Sequence, residues 1–164
     1  MNKEKKVQEN TEPKATDVNN ISLQRIAIVR VRGGIDVKGT IKKALALIRL
    51  YRQNFCVIIP NTTTNRGVLN KVRDYVTWGE IDDETFNLLV QKRGKEYKGR
   101  TSDAKGIISY KKFIVINNKK FKPYFRLNPP RGGFERKGIK KPYGLGGALG
   151  YRKEKINDLL KRMM

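Results

Sequence analysis

Basic and aromatic side chains alternate in a glycine-rich segment between residues 131 and 153. The cations of such a segment can neutralise phosphate groups, and its rings can stack on nucleobases. Its glycines let a backbone approach a phosphate closely, because they have no Cβ. The pattern therefore predicts a nucleic-acid contact formed by Arg131, Gly132, Gly133, Phe134, Arg136, Lys137, Lys140, Lys141, Tyr143, Gly146, Gly147, Tyr151, Arg152 and Lys153.

Two other interpretations of this segment stay open. Its glycines are also typical of a flexible linker. Any one of its rings could instead belong to a small satellite core. We expect Phe134 to face the ligand, whereas Tyr143 fits either role equally well.

The charge of the chain also indicates a polyanionic partner. The 164 residues include 37 Lys and Arg against 15 Asp and Glu, a formal net charge of +22. The net charge is +5 up to Val90 and +17 beyond it. Such a chain repels itself unless polyanions neutralise it, and nucleic acid gains further affinity by releasing condensed counterions. The predicted contact thus lies in the more basic half.

A membrane surface is the other polyanion to consider. No apolar stretch approaches the roughly 20 residues that a membrane-spanning helix needs, and the N-terminal MNKEKKVQENTEPK lacks an apolar signal-peptide core. The single Cys56 cannot form an internal disulfide. We therefore expect a soluble, cytoplasmic protein without a membrane partner.

The residue types needed for catalysis are scarce. Histidine, the commonest general base and metal ligand, is absent. Cys56 lies in the apolar run FCVII, which favours a buried hydrophobe over a nucleophile. The acids Asp82, Asp83 and Glu84 suit a helix start better than a metal site. GLGGALG departs from the dinucleotide fingerprint at Leu149 and follows KKPY instead of a strand. We expect no catalytic residue, metal, cofactor or small-molecule substrate.

The elements that position the basic segment follow from the apolar periodicity. Strands are predicted at residues 26–32, 55–60 and 76–81, each followed by a helix with one apolar side. This order indicates an α/β fold (an α+β sandwich). The apolar stripes of the three helices are Ile41, Leu45, Ile48 and Tyr51, then Val68, Leu69, Val72 and Tyr75, then Phe86, Leu89 and Val90. Leu45, Ile48, Val72 and Trp78 are expected in the core.

The character of the chain changes after Gly94. A polar loop precedes predicted strands at residues 112–116 and 124–127, and Pro129 and Pro130 cannot continue the second. A last helix carries Ile156, Leu159, Leu160 and Met163 on one side. We therefore expect a disordered tail at residues 1–22, a core at 23–94 and a basic extension packed on the core at 95–164.

Several segments together resemble one family, the L-thirty proteins of the large ribosomal subunit, in the longer archaeal and eukaryotic form whose eukaryotic counterpart is called L-seven. The segments are IAIVRVRGG, IIPNTTTNRGVLNKVRDYVTWGEI, LVQKRG, FRLNPPRGG and GGALGYRKEKINDLLKRMM. Each is modest alone, but their order and spacing are specific. The chain departs from the family pattern in two places: the segment at residues 95–120 is short for the family, and the N-terminal tail is distinctive.

The resemblance implies a ferredoxin-like β-α-β-α-β core with a small antiparallel three-stranded sheet, plus a C-terminal extension. It also implies large-subunit rRNA and neighbouring ribosomal proteins as partners, with a position near 5S rRNA left open. By the same carry-over, Arg66 and Gly67 join the residues 131–133 as RNA-facing positions. Arg30 and Arg32 of the first strand and Lys42 of the first helix complete the candidate RNA-binding residues.

Other classes of protein remain open on the sequence. A general nucleic-acid chaperone or a DNA-compacting module would carry the same charge, and a subunit of an RNA-modifying enzyme would also bind RNA. Retention on large subunits in high salt separates these classes, because a loosely bound chaperone washes off.

Overall fold

Three runs of β-branched and apolar residues form the centre of the sheet. The computed structural model describes residues 25–103, 107–110 and 112–164, so the expected disorder of residues 1–22 lies outside the described residues. Strand β1 (Arg25–Arg30) lies between β2 (Phe55–Pro60) and β3 (Val76–Glu80) and pairs antiparallel with both. The predicted three-stranded antiparallel core and its fold class are confirmed.

The C-terminal extension adds one strand to each edge of this sheet. Strand β6 (Phe125–Arg126) pairs antiparallel with β2, and β7 (Gly150–Tyr151) pairs parallel with β3. The order is therefore β6-β2-β1-β3-β7. The sequence predicted β6 but not β7, because two residues beside a glycine carry no strand periodicity.

Helices cover both faces of the sheet, since the two sides of β1 are equally apolar. Helices α1 (Gly39–Leu47) and α2 (Thr63–Val72) pack against the face that carries Ile26 and Ile28. Helices α3 (Asp83–Arg93) and α4 (Ile156–Met163) pack against the face that carries Ala27 and Val29. Leu45, Ile48 and Val72 are buried as predicted, whereas Trp78 is half-buried near the β7 edge.

One local prediction for the helices was wrong. Tyr51, placed in the apolar stripe of α1, is 56% exposed because the helix ends at Leu47. Asp82, Asp83 and Glu84 lie at the start of α3 as predicted, although the side chain of Asp82 makes no capping hydrogen bond. Instead the backbone N–H of Asp82 donates to Oδ1 of the buried Asn157 at 3.2 Å. The start of α3 is thus bound to α4.

A hairpin occupies the stretch between α3 and β6. Strands β4 (Ile114–Ile116) and β5 (Lys119–Phe121) pair antiparallel through Asn117 and Asn118, whose φ angles are 48° and 59°. Positive φ at both turn residues matches the twist of a two-residue hairpin, and asparagine tolerates it. Only β4 was predicted from the sequence. The backbone of Tyr97 donates to the carbonyl of Lys120 at 2.8 Å, which joins the preceding segment to β5.

The thiol of Cys56 should be inert in the native protein. Its side chain is fully buried, and burial raises its pKa from 9.0 to about 12. We expect stoichiometric labelling by a thiol reagent at pH 8 only after unfolding in denaturant. Since the unfolded thiol loses its proton near its ordinary pKa and the folded one does not, this group contributes stability below about pH 9 that is lost between pH 9 and 12. Cys56→Ala should flatten that part of the stability profile, and rapid native labelling would contradict the burial.

Candidate nucleic-acid interface

The turn at residues 128–133 is held against the last turn of α4. The backbone N–H of Asn128 donates to the carbonyl of Met163 at 3.0 Å, and that of Arg131 donates to the carbonyl of Arg162 at 3.2 Å. Carbonyls at the end of a helix have no partner within the helix, so these bonds stabilise both segments. The side chain of Arg131 is exposed. The turn therefore presents a cation from a backbone that is bound to α4.

The two glycines of this turn lie in the left-handed region. Gly132 and Gly133 have φ angles of 75° and 78°, and both are exposed with open space around the position of a Cβ. The guanidinium of Arg162 donates to the carbonyl of Gly133 at 3.0 Å. Glycine is required here for backbone conformation, since a side chain at this φ would be strained.

Arg152, predicted as an RNA contact, is a buried structural residue. Its guanidinium donates to Oε1 of Glu135 at 2.5 Å, to Oγ1 of Thr77 at 2.8 Å and to the carbonyl of Ala148 at 3.2 Å. It also lies 4.6 Å from the centre of the Tyr143 ring. With 2% of Arg152 exposed, the structure places this arginine inside the extension and not on its surface.

Arg30 is the second predicted contact that the structure buries. It is 4% exposed, and its Nη1 donates to the carbonyls of Leu50 and Tyr51 at 2.8 and 3.0 Å. Nε donates to the carbonyl of Arg32 at 2.9 Å. Burial lowers the pKa of Arg30 from its ordinary value. The hydrogen bonds of Arg30 therefore connect the turn after α1 to the end of β1.

Two further candidates in the extension fill structural positions. Phe134, expected to face the ligand, is half-buried against Val31, Ala148 and Leu149. Gly147 is buried, and a Cβ at this position would lie 2.1 Å from the carbonyl oxygen of Lys141. Gly147 therefore lets its own backbone pack closely against the backbone of Lys141. This differs from the predicted role, which was close approach to a phosphate.

The structure brings several other candidates together around the half-exposed ring of Tyr151. Three adjoining clefts share this ring. Arg66 lines the first cleft, Arg32 and Lys140 line the second, and Lys153 lines the third. We call these five residues the Tyr151 surface. Residues from the loop after β1, from α2 and from the extension, far apart in sequence, therefore form one patch of cations around an aromatic ring, and acids line the same clefts.

Hydrogen bonds and ring contacts orient this patch. The hydroxyl of Tyr151 donates to Oε1 of Glu80 at 2.5 Å, and this bond raises the pKa of Tyr151. The Tyr151 ring lies 6.4 Å from that of Trp78. Nε of Arg66 donates to Oδ1 of Asn61 at 2.6 Å. The rings of Tyr151 and Trp78 and the guanidinium of Arg66 are therefore already oriented by contacts within the protein.

The remaining candidates are exposed but lie outside the Tyr151 surface. Lys42 on α1 and Gly67 on α2 are not among the described residues that line its clefts. Gly146, with a φ angle of 83°, ends a 3₁₀ turn at Tyr143–Leu145. Four exposed cations of the loop are also outside the linings of these clefts: Arg131, Arg136, Lys137 and Lys141.

Sequence reasoning missed two cations that line the same cleft as Lys140. These are Lys38, which precedes α1, and Arg73, which follows α2. Both lie at helix ends, which apolar periodicity does not relate to the basic loop, so no sequence pattern links them to Lys140.

Neither a metal-binding cluster nor a membrane-spanning helix occurs within residues 25–103, 107–110 and 112–164. In these ranges no group of three or more His, Cys, Asp or Glu side chains could hold a metal ion. Nor does any helix in the same ranges combine the length and apolar character needed to cross a membrane.

Comparisons with known proteins agree with the fold. A sequence profile of the family described as ribosomal protein L30p/L7e matches residues 26–76. Large ribosomal subunit protein uL30 of Methanococcus maripaludis is 45% identical over 153 residues, which cover 84% of this chain and 98% of that protein. The uL30 of Nanoarchaeum equitans is 45% identical over 151 residues, covering 83% and 96%. The uL30 of Methanopyrus kandleri is 41% identical over 149 residues, covering 82% and 100%.

These three matches each cover more than four fifths of this chain. Each of the three relatives is more than 40% identical and is covered over almost its full length. The chain therefore belongs to the ribosomal protein L30p/L7e family.

Proposed function

We propose that the chain is a structural constituent of the large ribosomal subunit that binds and stabilises large-subunit rRNA. Its relatives carry the name of a large-subunit protein. The observation that carries the rRNA-binding proposal is the charge of the loop at residues 131–153. Six of its cations are exposed, whereas its single acid, Glu135, is bound by Arg152. An exposed surface of one sign favours a polyanion, and a solvated surface normally mixes both signs.

The RNA-facing residues that we propose are those whose side chains or backbones are accessible. Tyr151 offers a ring for stacking, and the cations around it offer phosphate contacts. Arg30, Phe134, Gly147 and Arg152 are left out, since each fills a position inside the protein. The set is Arg32, Lys42, Arg66, Gly67, Arg131, Gly132, Gly133, Arg136, Lys137, Lys140, Lys141, Tyr143, Gly146, Tyr151 and Lys153.

The same proposal covers the setting of the protein. We place it in cytoplasmic ribosomes, beside neighbouring ribosomal proteins and near 5S rRNA, without enzymatic activity of its own. A general nucleic-acid chaperone is the competing function, and it differs in a measurable way. A chaperone binds by exposed charge alone and dissociates in high salt, whereas an integrated protein is also held by fitted contacts.

Reversing the charge of Arg131 should impair incorporation into large subunits. We expect the wild-type chain to sediment with large subunits after a high-salt wash and Arg131→Glu to be reduced about tenfold, because a guanidinium bound to phosphate becomes a repelling carboxylate. Melting temperature should not change, since the side chain is exposed and the backbone bonds of the turn remain.

Lys119→Glu provides the matched control, an exposed charge reversal in β5. It should sediment like the wild type. Isolated full-length protein should bind rRNA with a logarithmic salt slope near five, if about six phosphates are neutralised. Loss of the wild-type chain in the wash would favour the chaperone, and normal retention of Arg131→Glu would remove this turn from the interface.

A further inference from the structure

A second cleft, distinct from the Tyr151 surface, lies between the turn after α1 and the segment that leads into β6. Three tyrosines and three cations line it, and its cavity volume is about 230 Å³. We call it the tyrosine cleft. The rings and cations that line it, beside Pro123, are Tyr51, Tyr97, Tyr124, Arg49, Lys112 and Lys122.

Two of the three rings of the tyrosine cleft are positioned by a series of ring contacts that begins at the core. Tyr124 stacks on the buried Phe55, with ring centres 5.1 Å apart and planes within 9°. Tyr51 meets Tyr124 edge-on, at 6.3 Å and 87°. Because 56% of Tyr51 is nevertheless exposed, the cleft offers a fixed ring that solvent can reach. A ligand that stacks on it loses little side-chain entropy of the protein.

The charge of the cleft is of one sign. Among the described residues that line it, all three charged groups are cations. By contrast, the clefts beside Tyr151 also include the acids Asp36, Asp74 and Glu80. Rings that stack and cations that bind phosphate are together complementary to a nucleotide.

Arg49 occupies a backbone position that glycine normally fills. Its φ angle is 62°, in the left-handed region just after α1. Its N–H donates to the carbonyl of Ala46 and the N–H of Leu50 to that of Leu45, both at 2.9 Å, which is the Schellman pattern. Arginine is less stable than glycine at such a φ. The presence of arginine here indicates that its side chain contributes something other than the turn.

We propose that the tyrosine cleft binds one unpaired nucleobase of RNA, stacked on the Tyr51 ring, with the flanking phosphates bound by Arg49, Lys112 and Lys122. The proposal rests on the rRNA-binding function proposed above and adds a base-stacking site separate from the basic loop. The base is unpaired because the faces of bases within a duplex are already stacked on their neighbours. One base suffices, since the cavity is smaller than the roughly 300–1,000 Å³ of pockets for larger ligands.

Removing the exposed ring tests the stacking. Full-length protein is titrated with a short oligouridine strand and with an abasic strand of the same length. Tyr51→Ala should weaken binding of oligouridine about tenfold, the effect of losing one stacked base. The wild-type chain should bind the abasic strand with the same loss, and Tyr51→Phe should retain the wild-type affinity.

Leu47→Ala is the control for trimming an exposed apolar side chain, because Leu47 is 73% exposed on α1. It should leave the affinity unchanged. Equal affinities of Tyr51→Ala and the wild type for oligouridine, or equal affinities of the wild type for the two strands, would overturn the proposal.

Arg49→Gly separates binding from folding. Glycine relieves the positive φ, so the melting temperature should stay the same or rise, while affinity for oligouridine falls several-fold. A variant that binds normally would contradict a phosphate contact at Arg49. Photo-crosslinking of Tyr51 within intact large subunits should capture rRNA, and capture of a protein in its place would overturn the nucleobase assignment.

The outcomes also distinguish this proposal from the general function. If the full chain shows no salt-dependent RNA binding, the rRNA-binding function itself fails. If it binds RNA through residues 131–153 and the tyrosine-cleft variants bind oligouridine normally, only the nucleobase site fails.

Discussion

Replacing Arg152 with alanine should lower the free energy of unfolding by about 3 to 5 kcal/mol, the cost of breaking a buried ion pair. The substitution leaves the hydroxyl of Thr77 and the carbonyl of Ala148 without this donor, and Glu135 keeps only its longer ion pair with Arg162 at 3.9 Å. Unpaired polar groups in the interior lose solvation that nothing replaces. For a domain of this size the melting temperature should fall by about 10 °C.

Two variants show whether this loss is structural. Arg136→Ala trims an exposed arginine of the same loop, and it should melt like the wild type while weakening rRNA binding. Arg152→Lys keeps the positive charge but loses the planar set of guanidinium donors. Its stability should therefore lie between that of the wild type and that of Arg152→Ala. If Arg152→Ala melts normally and loses only RNA affinity, Arg152 is a contact residue and the buried arrangement is wrong.

Gly79→Ala should destabilise the protein by about 3 kcal/mol, the upper part of the usual range for forcing atoms into a packed interior. An ideal Cβ at Gly79 would lie 2.0 Å from the carbonyl oxygen of Lys153 and 3.0 Å from Cβ of Ile156. The backbone before α4 must therefore move away from β3. Alanine otherwise stabilises a strand relative to glycine by roughly 0.5 to 1 kcal/mol, so local preference predicts the opposite sign.

Gly33→Ala is the matched control, because a Cβ there would meet no described atom within 4 Å and its φ is not positive. It should change stability little. Chemical denaturation measures both variants, and hydrogen exchange should show reduced protection of α4 in Gly79→Ala alone. A Gly79→Ala protein as stable as the wild type would mean that the start of α4 does not pack closely against β3 at Gly79.

The alternation of apolar residues predicted most of the core, although Trp78 is only half-buried and Tyr51 is exposed. Leu45, Ile48, Val72 and Cys56 are buried because period-two and helical patterns decide which side of an element faces the sheet. The apolar stripe of the last helix predicted the packing of α4 in the same way. Side-chain periodicity could not predict where α1 ends, since that depends on a turn at Arg49 with positive φ, which arginine does not signal.

The buried arginines could not be predicted from sequence. Arg30 and Arg152 look like any other cation in a basic chain, and exposure is the usual state of arginine. Their burial depends on acceptors supplied by distant segments, such as Thr77 for Arg152, which lies 75 residues earlier. The grouping of Arg32, Arg66 and Lys140 around Tyr151 likewise depends on β7 lying beside β3, which no pattern within residues 150–151 indicates.

The bonds between the turn at residues 128–133 and α4 also set an order of events during synthesis. Arg131 and Arg162 are 31 residues apart, and the turn leaves the ribosome first. At about 5–20 residues per second, a few seconds pass before the helix that accepts its N–H groups has been made. The core strands β1 to β3 can pair during that time. The turn at residues 128–133 is therefore among the last parts of the described chain to reach its final position, after strands β1 to β3 have paired.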